Sequence, residues 1–178
     1  MIKKSLELFS SRMMIMLCNQ LAVIVTIPWL TMELSRSVFG LVSTVLILIQ
    51  VGWVLIDWGL MNYVIEVWKE KTSLFLKNSL ITNLITSRLL LCFFYLIIIF
   101  LLILKELIFL PWQFFIPLFL TTIFGAMFPL WFFHVKRSPR ELVVITLISR
   151  LIFVLLTLYI VNDDSDALIY LYMHSISF

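Results

Sequence analysis

Apolar residues along this chain cluster into long segments separated by short polar connections. The five longest segments cover residues 13–31, 38–60, 78–104, 112–133 and 142–161. A helix needs about 20 predominantly apolar residues to cross the hydrocarbon core of a bilayer, and each segment is close to that length or longer. The pattern therefore predicts an all-α fold, a polytopic transmembrane bundle with five full helices.

The stretch at 167–178 has the composition of a sixth apolar helix but is too short to span a bilayer. We predict a partial helix there, within a single transmembrane domain that covers residues 1–178. Two explanations remain open. The chain is the truncated N-terminal part of a longer transporter, or this last stretch lies in the membrane interface.

Basic residues fall on alternate connections between the segments. Nine of them belong to the N-terminus and to the second and fourth connections: Lys3, Lys4, Arg12, Lys69, Lys71, Lys77, Lys136, Arg137 and Arg140. The first and third connections hold only Arg36 and Lys105, respectively. Cytoplasmic loops carry the excess of Lys and Arg in membrane proteins, so we predict a cytoplasmic N-terminus. The net charge of +3 then serves topology and does not indicate nucleic-acid binding.

The composition excludes a sizeable soluble domain and gives little support to catalysis. The chain is 63% hydrophobic and 13% charged, whereas soluble domains average about 25% charged residues. No Gly-x-Ser-x-Gly, His-Glu-x-x-His or glycine-rich phosphate loop is present. We predict a protein that is not an enzyme and has no cofactor. The acidic turn formed by Asp163, Asp164 and Asp166 is interpreted as a solvated loop, not as a metal site.

Three ionisable residues lie within the predicted spans: Asp57, Arg88 and Arg150. A charged side chain is costly in the bilayer interior, so each should face protein, water or ligand. Two interpretations remain open for each arginine. It pairs with Asp57 or reaches the headgroups as a structural feature, or it forms a cationic site for an anionic substrate. The planar guanidinium binds phosphate oxygens in pairs, which suits the second interpretation.

Polar residues at helical spacing extend this picture to four of the helices. The stripes are Asn19 and Thr26; Gln50 and Asp57; Arg88, Cys92 and Tyr95; and Thr146, Arg150 and Thr157. Residues at such spacings share one face of a helix, so a bundle with a polar interior is expected. The candidate substrate-binding residues are Arg88, Arg150, Asp57, Gln50 and Asn19.

Several local patterns resemble the Wzx-type O-antigen flippases, a polysaccharide transporter branch of the multidrug/oligosaccharidyl-lipid/polysaccharide superfamily. The matching runs, in order, are Thr26 to Leu30, Val38 to Leu41, Asp57 to Leu60, Pro129 to His134, and Ser149 to Leu151. The chain departs from the family at Met32-Glu33, where an arginine is common, and at His134, where the family has glutamine.

The resemblance implies that the chain matches the N-terminal half of a transporter with about 12 to 14 helices. It further implies translocation of an undecaprenyl-pyrophosphate-linked oligosaccharide, an O-antigen or capsule repeat unit, across the bacterial inner membrane. The expected partners are this lipid-linked oligosaccharide, membrane lipids and the polysaccharide polymerase and chain-length machinery. The alternatives are a truncated non-transporting remnant, a membrane subunit, or a drug or cation antiporter of the same superfamily.

Overall fold

The computed structural model of the chain describes residues 2–70, 74–127 and 139–177. These residues form helices joined by short turns, and no strand occurs among them. The helices are α1 Ile2–Glu33, α2 Arg36–Asp57, α3 Leu60–Glu70, α4 Leu74–Leu104, α5 Trp112–Met127, α6 Pro139–Ile160 and α7 Ala167–Ile176, with a 3₁₀ turn at Asp164–Asp166. The all-α prediction is therefore confirmed.

Within the described residues, four helical stretches are long and apolar enough to cross a membrane. They are Met13–Glu33, Arg36–Asp57, Asn78–Leu104 and Val143–Ile160. The described part of α5 is apolar but shorter, at 16 residues. The predicted fourth span ends at residue 133, and residues 128–133 lie outside the described part of the chain.

The first helix is longer than predicted and is not ended by its proline. The sequence predicts that Pro28 bends or stops the helix, and since α1 continues through it to Glu33, the proline does not stop the helix. A proline removes one backbone donor, and membrane helices accommodate this loss through nearby hydroxyl groups and neighbouring helices. The missing N–H deprives the Ile24 carbonyl, four residues earlier, of its usual helical donor. Separately, the Thr31 hydroxyl donates to the Pro28 carbonyl oxygen at 2.7 Å.

The region after α2 differs most from the prediction. The sequence predicts that the second helix reaches residue 60, but α2 ends at Asp57 because Trp58 and Gly59 have positive φ angles of 32° and 79°, which interrupt the helix. The separate helix α3 follows, in a stretch that the sequence assigned to a connection. Its apolar face is buried through Val64, which packs with Leu80 and Leu84 of α4. This burial against α4 stabilises a short helix that is marginal on its own.

The chain packs as two compact units, residues 1–42 with 136–178 and residues 43–135. In the first unit α1 and α6 run parallel, since Asn19 contacts Arg150 and, ten residues further on, Trp29 contacts Val161. The Trp29 indole N–H donates to the Val161 carbonyl oxygen at 2.9 Å. This bond satisfies a carbonyl at the end of α6 that has no partner within its own helix.

The same end of the first unit is closed by the acidic turn. The Ser35 amide, just before α2, donates to the Asp164 carboxylate at 2.7 Å. The Asn162 and Asp163 amides donate to the Asp166 carboxylate at 3.1 Å and 3.2 Å. A carboxylate at a helix N-terminus is stabilised by the free backbone amides and the helix dipole. The carboxylates of Asp164 and Asp166 therefore accept hydrogen bonds from backbone amides.

In the second unit α2 and α4 run antiparallel. The Tyr95 hydroxyl donates to the Leu48 carbonyl oxygen, and Arg88 reaches Asp57 further along α2. Helix α5 packs on the far end of α4 through aromatic rings, with the Phe100 centroid 5.7 Å from that of Trp112. The contact between α2 and α4 is close because Gly52 has no side chain. A Cβ built there would lie 2.7 Å from Tyr95 Cε1.

We expect Gly52→Ala to destabilise the second unit, by about 1–3 kcal/mol, as overpacking of a closed contact usually does. Gly40→Ala is the matched control, because nothing lies within 4 Å of a Cβ at that position and alanine favours the helix by about 1 kcal/mol. Thermal unfolding of the two detergent-purified variants measures the difference. Equal melting temperatures would contradict the close approach of Tyr95.

Candidate functional site

Arg150 lies near the middle of α6 and is only 7% exposed. Its Nε donates to Asn19 Oδ1 of α1 at 2.7 Å, and its Nη1 donates to Ser177 Oγ at 2.9 Å. Both acceptors are neutral, so these two bonds solvate the guanidinium without cancelling its charge. The Arg150 side chain is thus held between α1 and the end of α7, as the predicted inward orientation requires.

The end of α7 supplies groups that the sequence did not assign to this cluster. The Ser177 hydroxyl, which accepts from Arg150, donates to the His174 carbonyl oxygen at 2.9 Å. The His174 ring meets Phe153 of α6 edge-on, with centroids 5.7 Å apart. From the sequence, His174 is predicted to be isolated, and the structure corrects this prediction. His174 lies on α7, and Ser177 follows three residues later as the C-cap of that helix; this spacing is the sequence signal that links the two residues.

A groove with an apolar wall lies beside Arg150, between α1 and α6. It encloses about 150 Å³ and, apart from Arg150, is lined by Cys18, Leu21, Ala22, Val25, Leu147, Leu151 and Val154. We call this the α1–α6 groove. Leu21 and Leu151 on its wall are 57% and 54% exposed, so the groove opens outward along the helix pair.

Arg88 forms the second polar cluster, in the other unit. Its Nη2 lies 3.5 Å from Asp57 Oδ1, and the guanidinium side chain is 10% exposed against 35% for the carboxylate. Cys92 and Tyr95, which share its predicted stripe, are also buried. The inward orientation of this stripe is confirmed. The contact with Asp57 is the one that the structural ion-pair interpretation predicts.

Gln50 does not join this cluster. The buried seam of α2 consists of Val42, Val45, Ile49, Gly52 and Ile56. Gln50 follows Ile49 on the helix and is exposed, so the expectation that its side chain faces the interior is not met. Asp57 likewise follows a seam residue, Ile56. It is the last residue of α2, and its side chain contacts Arg88.

The remaining predicted stripes are buried to different degrees. Thr26 of α1 and Thr157 of α6 are fully buried, at 1% and 0% exposed. Their hydroxyls donate to carbonyl oxygens one helical turn earlier, on Ala22 and Phe153. These threonines therefore satisfy their own polarity within the helix. The run Pro129 to His134, the motif with the best resemblance to the flippases, lies outside the described residues.

Comparison with protein-family models, curated proteins and solved structures finds no match to this chain. The site must therefore be judged by its chemistry. In the first unit, a buried arginine that donates to Asn19 and Ser177 adjoins an apolar groove. In the second, a buried arginine faces a carboxylate. The first arrangement suits an anion that carries a hydrocarbon part, and the second suits an internal ion pair.

Proposed function

We propose that this chain spans a bacterial inner membrane and takes part in moving a lipid-linked oligosaccharide across it, as a Wzx-type flippase or the N-terminal part of one. The observation that carries the proposal is the burial of Arg150 in the middle of an apolar helix beside an apolar groove. An intramembrane arginine is costly and marks a functional site by default.

The packing of the helices supports the membrane topology that the basic residues predict. With a cytoplasmic N-terminus, the first and fifth spans both run outward, and the second and third run in opposite directions. The parallel pair α1 and α6 and the antiparallel pair α2 and α4 agree with this order. This order holds if α5 crosses the membrane and α3 stays on one side of it. With 11 residues, α3 is too short to cross a bilayer.

The chemistry around Arg150 supports a pyrophosphate substrate. Arginine presents five donors in a fixed fork, and its bonds to phosphate are charge-assisted and stronger than bonds between neutral groups. Asn19 and Ser177 orient the guanidinium without a carboxylate in those two contacts. These two contacts hold the guanidinium in one orientation. Alternating movement of helical bundles around such a site is how many transporters work.

Deletion of the gene in its own host tests the proposal. We expect surface polysaccharide to be lost and lipid-linked oligosaccharide to accumulate in the inner membrane, and a plasmid copy to restore both. A drug or cation antiporter would leave both unchanged and alter sensitivity to exported compounds. A non-transporting remnant would change none of the three, and either of these results would overturn the proposal.

The membrane topology has a direct test in reporter fusions. Alkaline phosphatase is active only outside the cytoplasm, so we expect activity when it is fused after Ser165 and none when it is fused after Lys77. A green fluorescent reporter at the same two positions should give the reverse pattern. Activity at both sites, or the opposite pattern, would contradict the cytoplasmic N-terminus.

A further inference from the structure

Helix α3 packs on the part of α4 that lies at the membrane surface when α4 spans the bilayer. The apolar stretch of α4 covers the 27 residues Asn78–Leu104, and at about 1.5 Å per residue it is about 40 Å long. That length matches the hydrocarbon core together with the headgroup layers on both sides. The first turns of this stretch therefore lie at the boundary between headgroups and acyl chains. Val64 of α3 packs against Leu80 and Leu84 of those turns.

The end of α2 gives the same level in the membrane. Asp57, the last residue of α2, lies 3.5 Å from Arg88 Nη2, and Arg88 is one helical turn past Leu84 on α4. Helix α3 begins at Leu60. The chain from Asp57 to Leu60 spans at most about 11 Å even when it is fully extended, so α3 begins close to the level of the ion pair.

Two aromatic side chains are exposed where α2 passes into α3. Trp58 is 74% exposed and Tyr63 is 60% exposed. Tryptophan and tyrosine concentrate at membrane–water interfaces, where the ring meets acyl chains and the N–H or O–H meets headgroups. Trp58 also has a φ of 32°, which is unfavourable for a bulky residue and persists where the surroundings compensate for it. Lipid at this level supplies such surroundings for an exposed indole.

The sides of α3 differ in polarity. Val64 is buried, and Leu60 and Trp68, one turn before and after it, pack partly buried against the same cluster. Tyr63 and Glu66 are exposed on another side of the helix. A short helix with an apolar and a charged side lies in the plane of a membrane interface, with the apolar side about 5–10 Å into the boundary between headgroups and acyl chains.

We propose that α3 lies in the plane of the inner leaflet, at the boundary between headgroups and acyl chains, and that its exposed side contacts phospholipid headgroups. The level of α3 on α4 selects the bilayer as the partner of this surface. The sequence places Lys69, Lys71 and Lys77 in the same connection, which matches the negative surface of a leaflet with anionic lipids. The inference goes beyond the proposed function and rests only on the part of it that places α2 and α4 across a membrane.

Nitroxide labels on single cysteines measure the depth of α3. The Cys18→Ala, Cys92→Ala variant removes both native thiols, and Tyr63→Cys or Glu66→Cys then adds one on the exposed side of α3. The full chain is reconstituted in vesicles of phosphatidylethanolamine and phosphatidylglycerol. Collision of the label with oxygen, which concentrates in the bilayer, is compared with collision with a water-soluble nickel chelate. Leu90→Cys, exposed within the span of α4, is the reference for acyl chains, and free label in buffer is the reference for water.

We expect the labels at positions 63 and 66 to give oxygen-to-nickel collision ratios several-fold above that of free label and several-fold below that of the label at position 90. Ratios equal to that of free label would place α3 in water and overturn the inference. Low collision rates with both reagents would show that another protein segment or a second copy of the chain covers this side, which would also overturn it.

Fluorescence of Trp58 tests the same position in a chain that keeps its cysteines. The difference in emission between the wild type and Trp58→Phe isolates this indole among the six tryptophans of the chain. We expect that difference to be quenched more strongly by lipids brominated near the headgroup than by lipids brominated near the chain end. Equal emission in brominated and unbrominated vesicles would place Trp58 in water, and stronger quenching by the deeper bromine would place it in the hydrocarbon core. Either result would contradict the interfacial position.

This inference and the proposed function fail in distinguishable ways. Labels of α3 in water, together with loss of surface polysaccharide on gene deletion, remove the interfacial position and leave the function. Labels of α3 at the interface, together with normal polysaccharide on gene deletion, leave the interfacial helix and remove the flippase proposal.

Discussion

Replacing Arg150 by alanine should reduce polysaccharide export by at least about tenfold while the protein still inserts into the membrane. Hydrogen bonds to a charged group contribute about 1.5–3 kcal/mol, and each 1.4 kcal/mol corresponds to a factor of ten. In the alanine variant, Asn19 and Ser177 would lose the donor that they share. Surface polysaccharide is measured in the native host at matched membrane abundance.

Two further variants separate the role of the positive charge from that of the paired N–H donors of the guanidinium. Arg150→Lys keeps the cation but loses the paired donors, so we expect export between that of the wild type and that of the alanine variant. Arg36→Ala removes an equal charge from an exposed position at the start of α2 and should export normally. Normal export by Arg150→Ala would remove this residue from the proposed site.

Removing only one partner of the Arg88–Asp57 ion pair in the second unit should destabilise the protein more than replacing both partners by apolar residues. Asp57→Ala leaves Arg88, with its side chain only 10% exposed, without this carboxylate. Loss of one partner of a buried pair is strongly destabilising, whereas replacement of both by apolar residues is often neutral. Because Asp57 is 35% exposed, we expect a loss of about 1–3 kcal/mol, the usual cost of leaving a buried polar group unsatisfied.

The double variant Asp57→Ala, Arg88→Leu should recover most of that loss. Thermal unfolding in detergent measures both, and Glu66→Ala, an exposed carboxylate on α3, is the control. A double variant less stable than either single variant would contradict the pairing. Export by the double variant then decides between the two interpretations of Arg88. Normal export shows a structural pair, and loss of export at wild-type stability shows a role in transport.

The helices themselves could be predicted because membrane-compatible segments are long and almost uniformly apolar. The predicted segments that begin at residues 38, 78 and 142 each begin inside the observed helices α2, α4 and α6, respectively. Each predicted end lies within three residues of the end of that helix. Helix α3 was missed because its 11 residues mix apolar and charged positions and its ends carry no strong signal. The helix break at Trp58 and Gly59 that precedes it depends on positive φ angles, which the neighbouring apolar pattern does not reveal.

The polar residues were found from the sequence because a charge in an apolar segment is conspicuous whatever the fold. Their partners were harder to identify. Spacing along one helix identifies a shared face, but it does not say which helix covers that face. The contact of Arg150 with Asn19 joins residues 131 apart, and Ser177 directly follows α7, the helix predicted to be incomplete.

By itself, the sequence determined the all-α fold, the apolar segments and the biased distribution of basic residues, since these depend on composition and on the thickness of a bilayer. It also determined that Asp57, Arg88 and Arg150 need protein or polar surroundings. Only the tertiary structure decided that Arg88 meets Asp57, that Arg150 meets Asn19 and Ser177, and that Gln50 is exposed. Those outcomes depend on how helices distant in the chain pack, because a polar face is satisfied by whichever neighbour approaches it.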